Sequence, residues 1–191
     1  MFVFSWTCAF AQTYLMPMSG SVSYTICAGC AADFYDGGGP GGNYTDGQHT
    51  FLTFYPADTI NQKVSVDFSS FSTYLSPYPG SETDNLRVYN GSSTKASEIA
   101  NLFNTVAPGT IISTASNGSW TFEFDSYFHD DGHVGPGWSA TVSCVTPLSI
   151  PSSGNITMKC KARKSLVAGF LIFILTIIDF ENSIIRTIFS C

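Results

Sequence analysis

The chain has 191 residues, 44% of them hydrophobic and only 12% charged, about half the ~25% usual for a globular protein, and that balance excludes a disordered chain. The formal charge is −6, and residues 17–146 hold three basic side chains (Lys63, Arg87, Lys95) against twelve acidic ones. A surface of that sign repels phosphate backbones, so nucleic acid is excluded as a partner.

At the N-terminus, residues 1–11 (MFVFSWTCAFA) are apolar and carry no Lys or Arg. Ala9-Phe10-Ala11 ahead of Gln12 fits the small-residue cleavage rule of secretory leaders, although the basic start of a leader is missing. The segment reads as a truncated signal peptide, with an ordinary buried strand as the alternative. Pro17-Met18-Ser19-Gly20-Ser21-Val22-Ser23 is echoed by Pro151-Ser152-Ser153-Gly154-Asn155-Ile156-Thr157, a weak sign of a tandem array.

Strands are expected next, in chain order. Val22–Ile26 is the first, and Phe51–Tyr55 comes after the turn Tyr44-Thr45-Asp46-Gly47. The intervening Asp36-Gly37-Gly38-Gly39-Pro40-Gly41-Gly42-Asn43 lacks the Gly-Lys-Ser/Thr of a phosphate loop and reads as a surface turn. In Val64–Phe71, Val64, Val66 and Phe68 alternate with Ser65, Asp67 and Ser69, the pattern of a half-buried strand. Leu86–Tyr89 ends at Asn90-Gly91, a hairpin-type turn. Residues 94–104 are the one place where a helical turn is expected, before Pro108-Gly109 breaks the chain. Thr110–Thr114, Trp120–Phe124 and Trp138–Ser143 complete the set, with Trp120, Phe122 and Phe124 on one face. About eight short strands in this span predict an all-β antiparallel sandwich of jelly-roll type, flanked by segments outside the domain.

The C-terminal end changes character. Residues 147–158 read as a linker or the start of a second repeat. Lys159, Lys161, Arg163 and Lys164 form a basic cluster ahead of a thirteen-residue uncharged run, Leu166–Ile178, apolar throughout except for Thr176. A spanning helix needs about 20 residues, and the positive cluster would lie on the outer side, against the positive-inside rule. For residues 159–191 a short membrane anchor, a helix and sequence foreign to the domain remain open.

Four motifs in order carry a resemblance: Phe34-Tyr35-Asp36-Gly37-Gly38-Gly39-Pro40-Gly41-Gly42-Asn43-Tyr44, Val64–Phe71, Asp84-Asn85-Leu86-Arg87-Val88-Tyr89-Asn90-Gly91 and Gly137-Trp138-Ser139-Ala140-Thr141-Val142-Ser143-Cys144. Together they resemble the CUB domain of secreted, modular and often tandem proteins, and place it within residues 17–146. The resemblance implies a non-catalytic extracellular recognition or adhesion module, binding protein or carbohydrate through an acidic loop edge, with an accessory domain of a secreted hydrolase as the alternative. It implies secretion, or attachment to a membrane only through residues 166–178. It also implies a calcium site, in which Asp84 and Asp130 match two ligand positions while Tyr74 stands where a Glu is usual. Glu82 could replace that Glu, and Asp125 and Asp131 lie beside the third position. Clustered carboxylates with no basic neighbour call for a cation. His129 and His133, flanking Asp130 and Asp131, admit a weaker zinc reading.

The usual cysteine pattern of the family is absent. A Cys30–Cys144 bridge is expected instead, tying the two ends of the sandwich and contributing about 3–5 kcal/mol by closing a long loop. Cys27 is then free or paired with Cys160. Tyr74 and Tyr127 share the acidic loops and are the expected partner anchors. Asn43, Asn90, Asn117 and Asn155 each head an Asn-x-Ser/Thr pattern. No Gly-x-Ser-x-Gly elbow or opposed carboxylate pair argues for catalysis.

Overall fold

A computed structural model describes residues 12–77, 82–129 and 132–147, and the strand segments of residues 166–188. The signal-like segment, the linker and the basic cluster lie outside these residues. The chain divides into two units, Met1–Leu148 and Ser149–Cys191.

The first unit is all β. One sheet consists of β1 (Gln12–Leu15), β3 (Ala31–Tyr35), β10 (Gly137–Val145), β5 (Lys63–Ser72) and β8 (Thr110–Ile112), in that spatial order. The other runs β2 (Gly20–Ile26), β4 (His49–Pro56), β9 (Trp120–Asp125), β6 (Asn85–Tyr89) and β7 (Glu98–Leu102). The two sheets bury a common core. Phe34 of β3 meets Phe54 of β4 edge-on, ring centroids 5.1 Å apart, and Phe124 of β9 meets Trp138 of β10 at 5.2 Å. Phe34, Leu52, Phe54, Val64, Val66, Phe122 and Phe124 are fully buried. Such aromatic residues contribute about 3–5 kcal/mol each against truncation to Ala.

The expected sandwich is therefore present, with three local differences. First, the sheets are mixed, because β1 pairs parallel to β3 and β2 parallel to β4 at the sheet edges. The sheet also starts ahead of Pro17: Tyr14 and Met16 belong to the core. Second, β3 and β7 are strands that local pattern did not reveal. Residues 98–102, read as part of a helical turn, instead pair with β6, since hydrogen bonds from a neighbouring strand outweigh a weak helical preference. Third, a bulge at Ser139/Ala140 leaves Ser69 outside the register, so Phe68 and Phe71 both enter the core. Ser69 Oγ closes the bulge by donating to the Ser139 carbonyl at 2.9 Å.

In the second unit the described residues form two hairpins, β11 (Leu166–Val167) with β12 (Phe170–Leu171) and β13 (Ile174–Ile178) with β14 (Ile184–Ile188). The helix weighed for this tail is replaced there by strands, in keeping with the β-branched Ile and Thr that dominate ILTII and IIRTI. Among the described residues no helix is long and apolar enough to cross a membrane.

The cysteines correct the expected bridge. Cys27 and Cys30 are joined to each other across the β2–β3 turn. Gly29 at φ +71° and a Cys30 N–H to Cys27 carbonyl bond of 3.1 Å close that turn, bringing the two Cα atoms to 5.3 Å, within the span a disulfide needs. Cys144 is a free, half-buried thiol whose Sγ lies 3.5 Å from the Ile26 carbonyl. Burial pushes that thiol above its ordinary range.

Candidate functional site

One end of the sandwich is built around a buried carboxylate. Asp84 directly precedes β6 and is fully buried. The Tyr44 hydroxyl donates to its Oδ2 at 2.6 Å, and the Tyr127 N–H donates to Oδ1 at 3.0 Å. His129 Nε2 lies 3.2 Å from the same Oδ1. The backbone of Asp84 is fixed as well: its N–H donates to the Tyr74 carbonyl, and its carbonyl accepts from Thr73 Oγ1 at 2.9 Å. Burial raises the Asp84 pKa above the usual carboxylate value, although Tyr44, His129 and the Tyr127 N–H pull the other way. Burial, and then Asp84 itself, drive the Tyr44 hydroxyl far above its ordinary range.

Three loops meet over this hub. Tyr44 also accepts the Tyr74 N–H at 2.8 Å, so one phenol ties the loop before β4 to the loop after β5. Ser126 joins the loop after β9 to them through its N–H on the Gln48 carbonyl and its Oγ on the Thr45 carbonyl. Asp46 accepts the His129 N–H at 3.0 Å. The Tyr74 ring packs against both His129, at 4.6 Å, and His133, at 5.2 Å. Outside this anchored layer stand Phe128, 75% exposed and resting on Gly47, and Leu75, 46% exposed.

The expected site residues are only partly brought together. Asp84 sits at the hub. Glu82 is exposed and Asp125 half-buried at the end of β9, while Asp130 and Asp131 lie outside the described residues. Tyr74 and Tyr127 are both half-buried at the rim, Tyr74 by its ring and Tyr127 by its N–H on Asp84. The outermost aromatic of that loop is their neighbour Phe128. The described residues do not fit a calcium ion in this conformation: each Asp84 oxygen already accepts a protein contact, and no three Asp, Glu, His or Cys side chains among them gather as ligands. The zinc pairing of His129 with His133 meets the same result, with both rings against Tyr74.

Sequence reasoning missed Tyr44, Asp46 and His129 as partners of the hub. Tyr44 closes the first quoted motif, which was the available signal. A second buried carboxylate was also missed. Asp36 accepts the Gly38 N–H at 2.7 Å and the Trp138 N–H at 3.1 Å, pinning the glycine-rich turn to the start of β10. Burial raises its pKa against those backbone donors. On the outer face of the second sheet, Glu123 takes the Tyr89 hydroxyl at 2.5 Å and lies 2.8 Å from His49 Nε2 and 3.9 Å from Arg87. Burial would raise its pKa, but Tyr89, His49 and Arg87 together hold it below the usual value.

No family model and no curated protein matches the chain. Among solved structures it is similar to the CUB1-EGF-CUB2 region of human MASP-1/3, 13% identical, covering 64% of this chain and 41% of that one at a TM-score of 0.49. It is similar to the full extracellular region of zebrafish Gpr126/Adgrg6, 18% identical, covering 66% and 15% at 0.48. It is also similar to the MASP-1 CUB2 domain bound to Ca2+, 15% identical, covering 64% and 99% at 0.47. The chain thus spans less than half of the first two proteins.

Proposed function

We propose that this CUB-like sandwich is a non-catalytic extracellular recognition module. It binds a protein or glycan through the rim over Asp84. The observation that carries the reading is the rim's construction: two exposed apolar side chains, Phe128 and Leu75, stand on loops that a buried carboxylate locks in place. An apolar anchor held on preorganised loops is the arrangement that binding hot spots use. The acidic balance of residues 17–146 favours a basic partner through steering and charge complementarity. The Cys27–Cys30 disulfide supports an oxidising compartment. Calcium enters this reading as a competitor of His129 for Asp84 Oδ1.

The test presents the full chain to arrays of basic peptides and of glycans, with Phe128→Ser and Leu75→Ser variants alongside. We expect binding that weakens at least about tenfold in either variant, equivalent to about 1.4 kcal/mol, with unchanged melting temperature. Binding indifferent to both substitutions, or turnover of any arrayed compound, overturns the reading.

A further inference from the structure

Three Asn-x-Ser/Thr patterns fall within the described residues, and their surroundings differ. Asn43 and Thr45 are both exposed, while Tyr44 between them is buried on Asp84. The backbone here is held from both sides. Asp36 fixes the preceding glycine turn, the Asn43 carbonyl packs closely over Gly38, and Tyr44 anchors the chain on the C-terminal side. The Asn43 side chain is therefore directed outward by its neighbours, and its amide has no hydrogen-bond partner among the described residues.

Asn90 is the opposite case. Its Nδ2 donates to Thr114 Oγ1 at 2.6 Å. Its Oδ1 accepts the Thr114 and Ala115 N–H groups, at 3.0 and 2.9 Å, and the Ser113 hydroxyl at 3.2 Å. That amide braces residues 113–115 against the end of β6. In the third pattern, Asn117 Oδ1 is turned inward to the Ser119 hydroxyl at 2.8 Å, and Ser119 is fully buried. Asn155 lies outside the described residues.

We propose that Asn43 is the N-glycan acceptor of residues 12–147 and that Asn90 and Asn117, despite the same local pattern, serve the fold. In the transfer, Asn43 Nδ2 bonds to the anomeric carbon of an oligosaccharide carried on a lipid pyrophosphate. The carbon–oxygen bond to the pyrophosphate breaks, the lipid pyrophosphate leaves with that electron pair, and Nδ2 gives up one proton. A sugar at Asn43 extends into solvent, as surface glycans require. A sugar on Asn90 would occupy the place of the Thr114 hydroxyl and displace the amide from the Thr114 and Ala115 N–H groups and from the hydroxyl of buried Ser113, which a folded chain does not tolerate cheaply. The inference rests on the extracellular reading above.

The test expresses the full chain in a eukaryotic host behind a supplied secretion leader, and maps asparagine-to-aspartate mass changes after enzymatic removal of glycans. We expect occupancy at Asn43 in most secreted molecules and none at Asn90 or Asn117. Asn43→Gln and Thr45→Ala should each abolish the gel shift. A secreted chain bare at Asn43, or folded protein glycosylated at Asn90 or Asn117, overturns the proposal. The rim assay above separates the two readings: leader-driven protein modified at Asn43 that binds no arrayed peptide or glycan refutes the recognition reading alone.

Discussion

The Tyr44 hydroxyl sits 2.6 Å from Asp84 Oδ2 and accepts the Tyr74 N–H at 2.8 Å, so one oxygen satisfies a buried carboxylate and a backbone donor together. Tyr44→Phe removes both bonds while preserving the ring contact with Phe124. Leaving a buried group without its partner costs about 1–3 kcal/mol, so we expect a loss of about 3 kcal/mol in urea unfolding. A loss below about 0.5 kcal/mol would show that water replaces the hydroxyl freely.

Glu123 sets an acid-side dependence. Its folded pKa lies below the ordinary value, so its contribution is present above about pH 4.3 and is lost as pH falls through the depressed folded value. Glu123→Gln should lower stability at pH 7 by about 2 kcal/mol, since hydrogen bonds to a charged group are worth about that much. It should also flatten the fall in stability below about pH 4.3 relative to wild type. Parallel acid profiles for the two proteins would contradict this.

Gly137 makes room for Asp36. Its φ is +74°, and a Cβ there would collide with the Asp36 carboxyl. Gly137→Ala should cost about 3 kcal/mol or more by adding backbone strain to the loss of the Trp138 N–H bond. Gly41→Ala, at φ +84° but with open space around it, should cost only about 1–2 kcal/mol. Thermal unfolding of the two variants compares them directly, and equal costs would remove Asp36 from the explanation. Asp36 also has the opposite pH sign to Glu123. Its folded pKa is raised, so its share of stability is full below about pH 3.9 and declines as pH rises through the folded value.

His129 occupies the oxygen that calcium would need. We expect wild-type calorimetry to give a calcium Kd no tighter than about 1 mM, the weak end for extracellular modules, and His129→Ala to bind several-fold more tightly. Tight wild-type binding that His129→Ala leaves unchanged would place the ion away from Asp84.

The Cys27–Cys30 bridge closes so short a loop that the chain-entropy model assigns it at most about 2 kcal/mol. Reduction should therefore lower the unfolding free energy by no more than that, and Cys144→Ser should leave the disulfide content intact. A loss of about 4–5 kcal/mol on reduction would indicate a long-range bridge instead.

Much of the sandwich was legible because a strand advertises itself locally. The alternation in Val64–Phe68 and Trp120–Phe124 repeats every second residue, and its apolar members all enter the hydrophobic core, although Ser65, Thr121 and Glu123 between them are buried too. The ends of the strand set were less legible. β7 carries no clean alternation and exists because β6 offers it a ladder. Asp84 was singled out by its motif, but its role was not, because the tyrosine that binds it lies 40 residues earlier and the histidine 45 later. Asp36 depends on a backbone N–H 102 residues away.

By itself, then, the order of residues determined an all-β chain, its main core positions and its acidic character, since these arise from side-chain period and charge. Only the tertiary structure decided which cysteines pair, which asparagines are braced, and that His129 closes over Asp84. Each of those depends on the distance between groups that local pattern does not fix, and folding alone sets that distance.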